Sequence, residues 1–134
     1  MKNILISTGG SGGHTVPATI FYEHLKDNFN IFMTSDDRGM QFLDNEKYNI
    51  EIFNVPKISK NILLLPFQFF LLLILIIKSF FFLKKKKIKI LISTGGYMSL
   101  PICLASKILK IKLFLFEPNM VLGRSNKFFI NSCI

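Results

Sequence analysis

The fold class expected from this sequence is α/β, with a doubly wound parallel sheet. Three observations carry that expectation. Short aliphatic runs alternate with helical stretches along the 134 residues, which is the pattern of parallel-sheet units. The stretch Ile4-Leu5-Ile6-Ser7-Thr8-Gly9-Gly10 recurs letter for letter as Ile90-Leu91-Ile92-Ser93-Thr94-Gly95-Gly96. Each copy is a hydrocarbon run that enters a glycine turn, as buried parallel strands do. In open sheets of this kind such turns lie at the carboxyl ends of the strands, where ligands bind.

The elements follow in order. Lys2 to Thr8 is the first strand and Gly9 to Gly13 its turn. A helix is expected from about Val16 to Asp27, with Pro17 in the first turn, where a missing N–H costs nothing. Asn30 to Ser35 is the second strand, and Asp36-Asp37-Arg38-Gly39 leads into a short helix through about Glu46. Ile50 to Val55 is the third strand and Ile88 to Thr94 the fourth. Ser99 suits an N-cap for a helix over Pro101 to Leu109. Ile111 to Phe116 is the fifth strand, and Leu122 to about Ile130 the last helix. Five strands with these helices barely cover a sheet on both faces. The domain at 1–134 is therefore expected to be incomplete at its carboxyl end, and finished by further chain or by another polypeptide.

Between the third and fourth strands, Ile62 to Leu83 is broken only by Pro66, Gln68, Lys78 and Ser79. As one helix it would be roughly 33 Å long, enough to cross a bilayer core. Lys78, the helix-breaking Pro66 and the need to keep the sheet whole weigh against a span. A helix packed on the sheet and sunk into a headgroup boundary fits better, and a buried core helix is the third option. The run Lys84 to Lys87 would then meet anionic lipid, so segment 62–87 is expected to associate with a membrane surface.

Half of the chain is hydrophobic, with 15 Phe, no Trp and a net charge of +9. No nucleic-acid motif and no basic strand interleaved with aromatics is present, so no nucleic-acid partner is expected. Cys103 falls in a helix and suits a core position. Neither it nor Cys133 forms a CxxC or has a histidine at ligand spacing, so no metal, zinc included, and no disulfide is expected. The first strand starts almost at once, so a signal peptide is not expected and the setting is cytosolic.

Gly9-Gly10-Ser11-Gly12-Gly13-His14 is the densest signal. It lacks the Gly-Lys-Ser/Thr of a P-loop, and Thr15 stands where a dinucleotide fingerprint wants its last glycine. Asp36 or Asp37 does stand near the place of a ribose-binding acid, which keeps a nicotinamide-binding domain open. His14 could act as a general base, donate to a diphosphate, or brace the loop. In the second loop, free N–H groups near Ser99 and Pro101 would suit a phosphate, with Tyr97 projecting over it. In the third, Glu117 is either catalytic or a bracing carboxylate, and Asn119 either binds a ligand or shapes the turn.

Taken together, these glycines with His14 and Pro17, then Gly95-Gly96-Tyr97 with Ser99 and Pro101, then Glu117-x-Asn119 with Gly123 and Asn126, resemble the MurG family. These are the membrane-associated N-acetylglucosaminyltransferases of peptidoglycan synthesis. The likeness runs from end to end and implies a Rossmann-like domain, the amino-terminal, acceptor-binding half of a GT-B glycosyltransferase. It implies inverting transfer of N-acetylglucosamine from UDP-N-acetylglucosamine to undecaprenyl-diphospho-muramoyl-pentapeptide (lipid I), giving lipid II, on the cytoplasmic face of the inner membrane. No cofactor or metal is implied. Carried over, Ser11, Gly12, Gly13 and Asn119 would touch the sugar donor. Gly12-Gly13 and Gly95-Gly96-Tyr97 would face the acceptor diphosphate, Glu117 would join the substrate-binding set, and His14 would be catalytic.

Two departures stand out. Phe116 replaces a family histidine, and Ser11 a family threonine. The donor-binding second domain is expected as further chain or as a separate subunit, without which this polypeptide should not turn over. The alternative from another class is a non-catalytic membrane-anchoring subunit of a split transferase.

Overall fold

The computed structural model describes residues 1–56, 61–121 and 123–130. In chain order these form β1 (Asn3–Ser7), α1 (Gly12–Leu25), β2 (Asn30–Ser35), α2 (Asp37–Met40), β3 (Ile50–Ile52), α3 (Leu65–Lys85), β4 (Ile88–Ser93), α4 (Leu100–Ile108), β5 (Lys112–Leu115) and α5 (Arg124–Phe129). The five strands make one sheet in the order β3-β2-β1-β4-β5, and every pairing is parallel. The doubly wound α/β class is therefore observed. Strand order reverses between β1 and β4, and there the two copies of the repeat lie side by side. Ile4 pairs with Ile90, Leu5 with Leu91, Ile6 with Ile92 and Ser7 with Ser93.

Alternation along the strands sorts the core into two layers. Ile4, Ile6, Ile31 and Met33 face α1, where they meet Ala18, Phe21 and Leu25. Leu5, Leu91 and Leu113 face the other way, onto Leu83 of α3, Ile102, Cys103 and Ala105 of α4, and Phe129 of α5. Cys103 is a core residue, as its helical setting implies. Cys133 and Leu122 lie outside the described residues.

Several boundaries differ from expectation, each for a local reason. Helix α1 starts at Gly12 rather than near Val16, because the Ser11 carbonyl accepts from both His14 N (3.0 Å) and Thr15 N (3.1 Å). That puts His14 in the first turn and Pro17 inside the helix instead of at its start. Helix α2 stops at Met40 rather than running on to Glu46, and turns follow, one closed by Tyr48 N on the Asp44 carbonyl (3.1 Å). Strand β3 is only three residues long because β2, its partner, ends at Ser35.

Helix α3 opens on a 3₁₀ turn, Ile62–Leu64, capped by the Asn61 side chain, which accepts from Leu63 N at 3.1 Å. Pro66 then lies in the first α-helical turn, where it does not break the helix. The carboxyl end of α3 is built into the core, with Ser79 and Leu83 buried. Its amino-terminal part is not: Phe67 is 61% exposed and Phe70 59%.

Leu5 is fully buried at the centre of the α3/α4 layer. Leu5→Ala should lower the free energy of unfolding by about 2–5 kcal/mol, measured by urea denaturation.

Candidate active-site crevice

Because all the strands are parallel, the loops after β1, β4 and β5 share one edge of the sheet. Where the strand order reverses, adjacent loops diverge to opposite faces and open a crevice. The two Gly-Gly bends form its walls. They touch: a Cβ built on Gly96 would stand 3.4 Å from the Gly9 carbonyl oxygen.

His14 ties the first loop to the second. Its Nδ1 lies 2.8 Å from the main-chain carbonyl oxygen of Thr94. A carbonyl only accepts, so Nδ1 carries the hydrogen, and in the neutral ring Nε2 keeps its lone pair. The ring lies flat enough on the second loop that a Cβ at Gly95 would come within 3.3 Å of it and 3.2 Å of Asn126 Nδ2. Gly95 also has φ +92°, where other residues are strained. This loop needs its glycine for the fold itself.

Gly12 and Gly13 differ. Neither has a positive φ, and a Cβ on Gly13 would meet nothing closer than Ser11 Oγ at 3.7 Å. The fold would accept alanine there. What glycine provides is an unshielded backbone at the start of α1, where the Gly12 and Gly13 N–H groups have no helical acceptor. Ser11 sits at the N-cap position with its side chain exposed and making no capping bond. Ser11, Gly12, Gly13 and the His14 Nε2 edge thus converge on the crevice.

A residue that sequence reasoning assigned elsewhere holds this loop. Asp36, at the end of β2 and 2% exposed, accepts on Oδ1 from Gly10 N (2.7 Å) and Gly39 N (2.9 Å). Its Oδ2 accepts from Arg38 Nε at 3.1 Å. Burial pushes the Asp36 carboxyl pKa up, but the Gly10 and Gly39 N–H groups and the Arg38 guanidinium outweigh this and hold it below its usual range. The carboxylate proposed for a ribose is thus committed to the protein. Asp37 is engaged with Asn54, whose Nδ2 donates to it at 2.7 Å.

The third loop is braced the same way. Glu117 Oε1 accepts from Asn119 N (3.2 Å) and Asn119 Nδ2 (2.9 Å), and Oε2 from Gly123 N (2.7 Å) and Asn126 Nδ2 (3.1 Å). Burial raises the Glu117 pKa, yet these donors prevail and lower it. Of the two roles open to Glu117, the geometry shows the brace. Asn119 is exposed, and its amide shapes the turn. Buried Asn126 closes this loop on itself, donating also to the Phe116 carbonyl at 3.2 Å, and its amide sits against Gly95 of the second loop.

In the second loop Ser99 holds the N-cap position of α4 with Pro101 in the first turn, as expected, but its side chain makes no accepting bond. A 3₁₀ turn, Tyr97–Ser99, precedes the helix, and the Ser99 hydroxyl donates to the Gly96 carbonyl at 2.8 Å. Tyr97 leans toward α3, lining an apolar groove with Pro56, Leu65 and Phe69, and burial raises its phenol pKa. Among the described residues no group of His, Cys, Asp or Glu is arranged to hold a metal.

Residues 4–133 match the family model described as the glycosyltransferase family 28 N-terminal domain. The chain belongs to that family. It is 64% identical over 132 residues to the Pelagibacter ubique (strain HTCC1062) UDP-N-acetylglucosamine–N-acetylmuramyl-(pentapeptide) pyrophosphoryl-undecaprenol N-acetylglucosamine transferase, covering 98% of this chain and 37% of the relative. The transferase of the same name from Prochlorococcus marinus (strain AS9601) is 36% identical over 96% of this chain and 35% of its own length. The chain thus spans little more than a third of these relatives. The fold of Acinetobacter baumannii MurG superposes with a TM-score of 0.84 at 22% identity, over 99% of this chain and 40% of that one. The fold is that of a family 28 amino-terminal domain, with the glycine loops at its sheet reversal.

Two predictions follow from the loop geometry. Gly13→Ala should leave stability unchanged or raise it by up to about 1 kcal/mol, whereas Gly95→Ala should cost about 1–3 kcal/mol, both read by thermal unfolding. Asp36 and Glu117 have lowered folded pKa values, so in acid the unfolded chain takes up protons that the folded chain refuses. Their stabilisation is complete above the ordinary carboxylate range and is lost as pH falls through the depressed folded values. The amide signals of Gly10, Gly39 and Gly123 should shift together over that acid range in an NMR titration.

Proposed function

We propose that this chain is the acceptor-binding half of an inverting N-acetylglucosaminyltransferase. It would move N-acetylglucosamine from UDP-N-acetylglucosamine to the muramic acid hydroxyl of an undecaprenyl-diphosphate-linked muramoyl-pentapeptide. The observation that carries the reading is the convergence, at the sheet reversal, of the open backbone of Gly12-Gly13 with a histidine whose Nδ1 is tied and whose Nε2 is not. The activity for which the relatives are named supports the substrates.

In this reading the acceptor diphosphate lies across the Gly12-Gly13 and Gly95-Gly96 bends. Ser11, Gly12, Gly13 and Asn119 reach the sugar donor, whose nucleotide is held mainly by a second domain or subunit. The acceptor hydroxyl attacks the anomeric carbon from the face opposite the departing UDP. His14 Nε2 takes the hydroxyl proton, the new carbon–oxygen bond forms, and UDP leaves with the electron pair of the old one. The Thr94 carbonyl holds the imidazole in the tautomer that leaves the Nε2 lone pair to take that proton. Glu117, Asp36 and Asn126 position the loops without touching substrate.

The reading places the protein at the cytoplasmic face of the membrane, on its surface. Phe67, Phe70, Ile74, Ile77 and Phe81 are exposed at helical spacing along one stripe of α3, and Lys84 and Lys85 continue the helix. A stripe of that length, about 20 Å, suits a helix lying in the headgroup plane with its lysines on anionic lipid.

In the complete enzyme, or in this chain supplied with a donor-binding partner, His14→Ala should depress transfer to a lipid I analogue by about 10²-fold or more. Unchanged turnover would remove His14 from the chemistry. Flotation with phosphatidylglycerol vesicles should fall by about tenfold for Phe70→Glu combined with Phe81→Glu, and should weaken as salt rises. Equal flotation of variant and parent would remove α3 from the membrane surface.

A further inference from the structure

We infer that the groove between α3 and the segment Asn54–Pro56 receives the first isoprene units of the lipid acceptor, a tail subsite that continues the diphosphate crevice. This rests on the acceptor reading above. Two adjoining apolar cavities make the groove, and both include Pro56. One, of about 180 Å³, is walled by Tyr97, Leu65, Phe69 and Leu72. The other, of about 380 Å³, is walled by Val55, Leu71, Ile74 and Leu75. The end at Tyr97 is one residue from Gly96, which abuts the Gly9 carbonyl and the His14 ring. A hydrocarbon leaving the crevice there enters the groove at once.

The walls select the chemistry of the occupant. A polypeptide laid in the groove would need partners for its N–H and C=O groups. Among the described residues, the polar side chains lining it are Asn54, Gln68 and Tyr97, and Gln68 is already engaged. A hydrocarbon needs no such partners and gains from burial alone. A glycerophospholipid chain would fit the walls, but its single phosphodiester presents one phosphoryl group at the crevice, whereas a prenyl diphosphate presents two, enough to meet both glycine bends while its chain fills the groove. Ile74 borders both surfaces, but the other groove walls lie on a different flank of α3 from Phe67, Phe70 and Phe81, so tail capture and membrane contact are separable at those residues.

The test uses phosphatidylglycerol vesicles carrying one of two photoreactive probes. The first is geranylgeranyl diphosphate with a diazirine at its far end, and the second is phosphatidylcholine with a diazirine on an acyl chain. Labelled residues are mapped by mass spectrometry, and hydrogen exchange at Gly12, Gly13 and Gly96 reads head binding independently. The prenyl probe is expected to label Leu71, Leu72 or Leu75, and the phospholipid probe Phe70 and Phe81. Leu72→Trp, and separately Leu75→Trp, should reduce groove labelling about tenfold, the equivalent of roughly two buried methylenes, while leaving phospholipid labelling intact. Head protection with prenyl labelling confined to Phe70 and Phe81 overturns the groove and leaves the acceptor reading standing. Loss of head protection itself overturns the acceptor reading, and the groove with it.

Discussion

The rim of this domain depends on a single pairing, β1 against β4 in register at the point where the sheet reverses direction. Thr94 N reaches the Ser7 carbonyl at 3.0 Å, and this sets the two glycine bends at the same height. Only from that height does the His14 imidazole meet the Thr94 carbonyl. A slip of one residue would turn Thr94 away and send every aliphatic side chain of β4 to the wrong layer. The crevice is thus a property of sheet register before it is a property of any loop.

Around that pairing, polar side chains serve as ties more than as reagents. Asp36 is held by two main-chain N–H groups and the Arg38 guanidinium, and Glu117 by main-chain and amide donors; both remain charged because those donors outweigh the cost of burial. Buried carboxylates are stable only on such terms. The outcome is three loops whose backbones are fixed from below, with the open groups restricted to the first turn of α1 and one edge of an imidazole.

Much of this was legible in the residues themselves. Aliphatic runs ending in Gly-Gly announced parallel strands and the edge on which the loops gather, and the three loops in order carried the family resemblance. What the residues could not show was how main-chain donors are allotted. Asp36 has the position of a ribose-binding acid, but its carboxylate is taken up by local donors and by Gly10 N at 2.7 Å, a contact across 26 positions of chain. The early start of α1 depends on one carbonyl, that of Ser11, taking two N–H groups. Tyr97 could not be aimed from sequence either, because its partner surface on α3 is contributed by residues some thirty positions earlier. In each case the deciding interaction is long-range or belongs to the backbone, and periodicity is blind to both.

The identical strands carry a folding consequence. During collapse, Ile90–Ser93 offers the central slot of the sheet the same side chains as Ile4–Ser7, so hydrophobic content alone does not tell one from the other. Discrimination falls to what flanks them. Asn3 Nδ2 donates to the Lys86 carbonyl at 2.5 Å, and an imidazole follows only the first copy. Hydrophobic content being equal, the side-chain asymmetry that tells the two strands apart resides in a handful of polar groups at their ends.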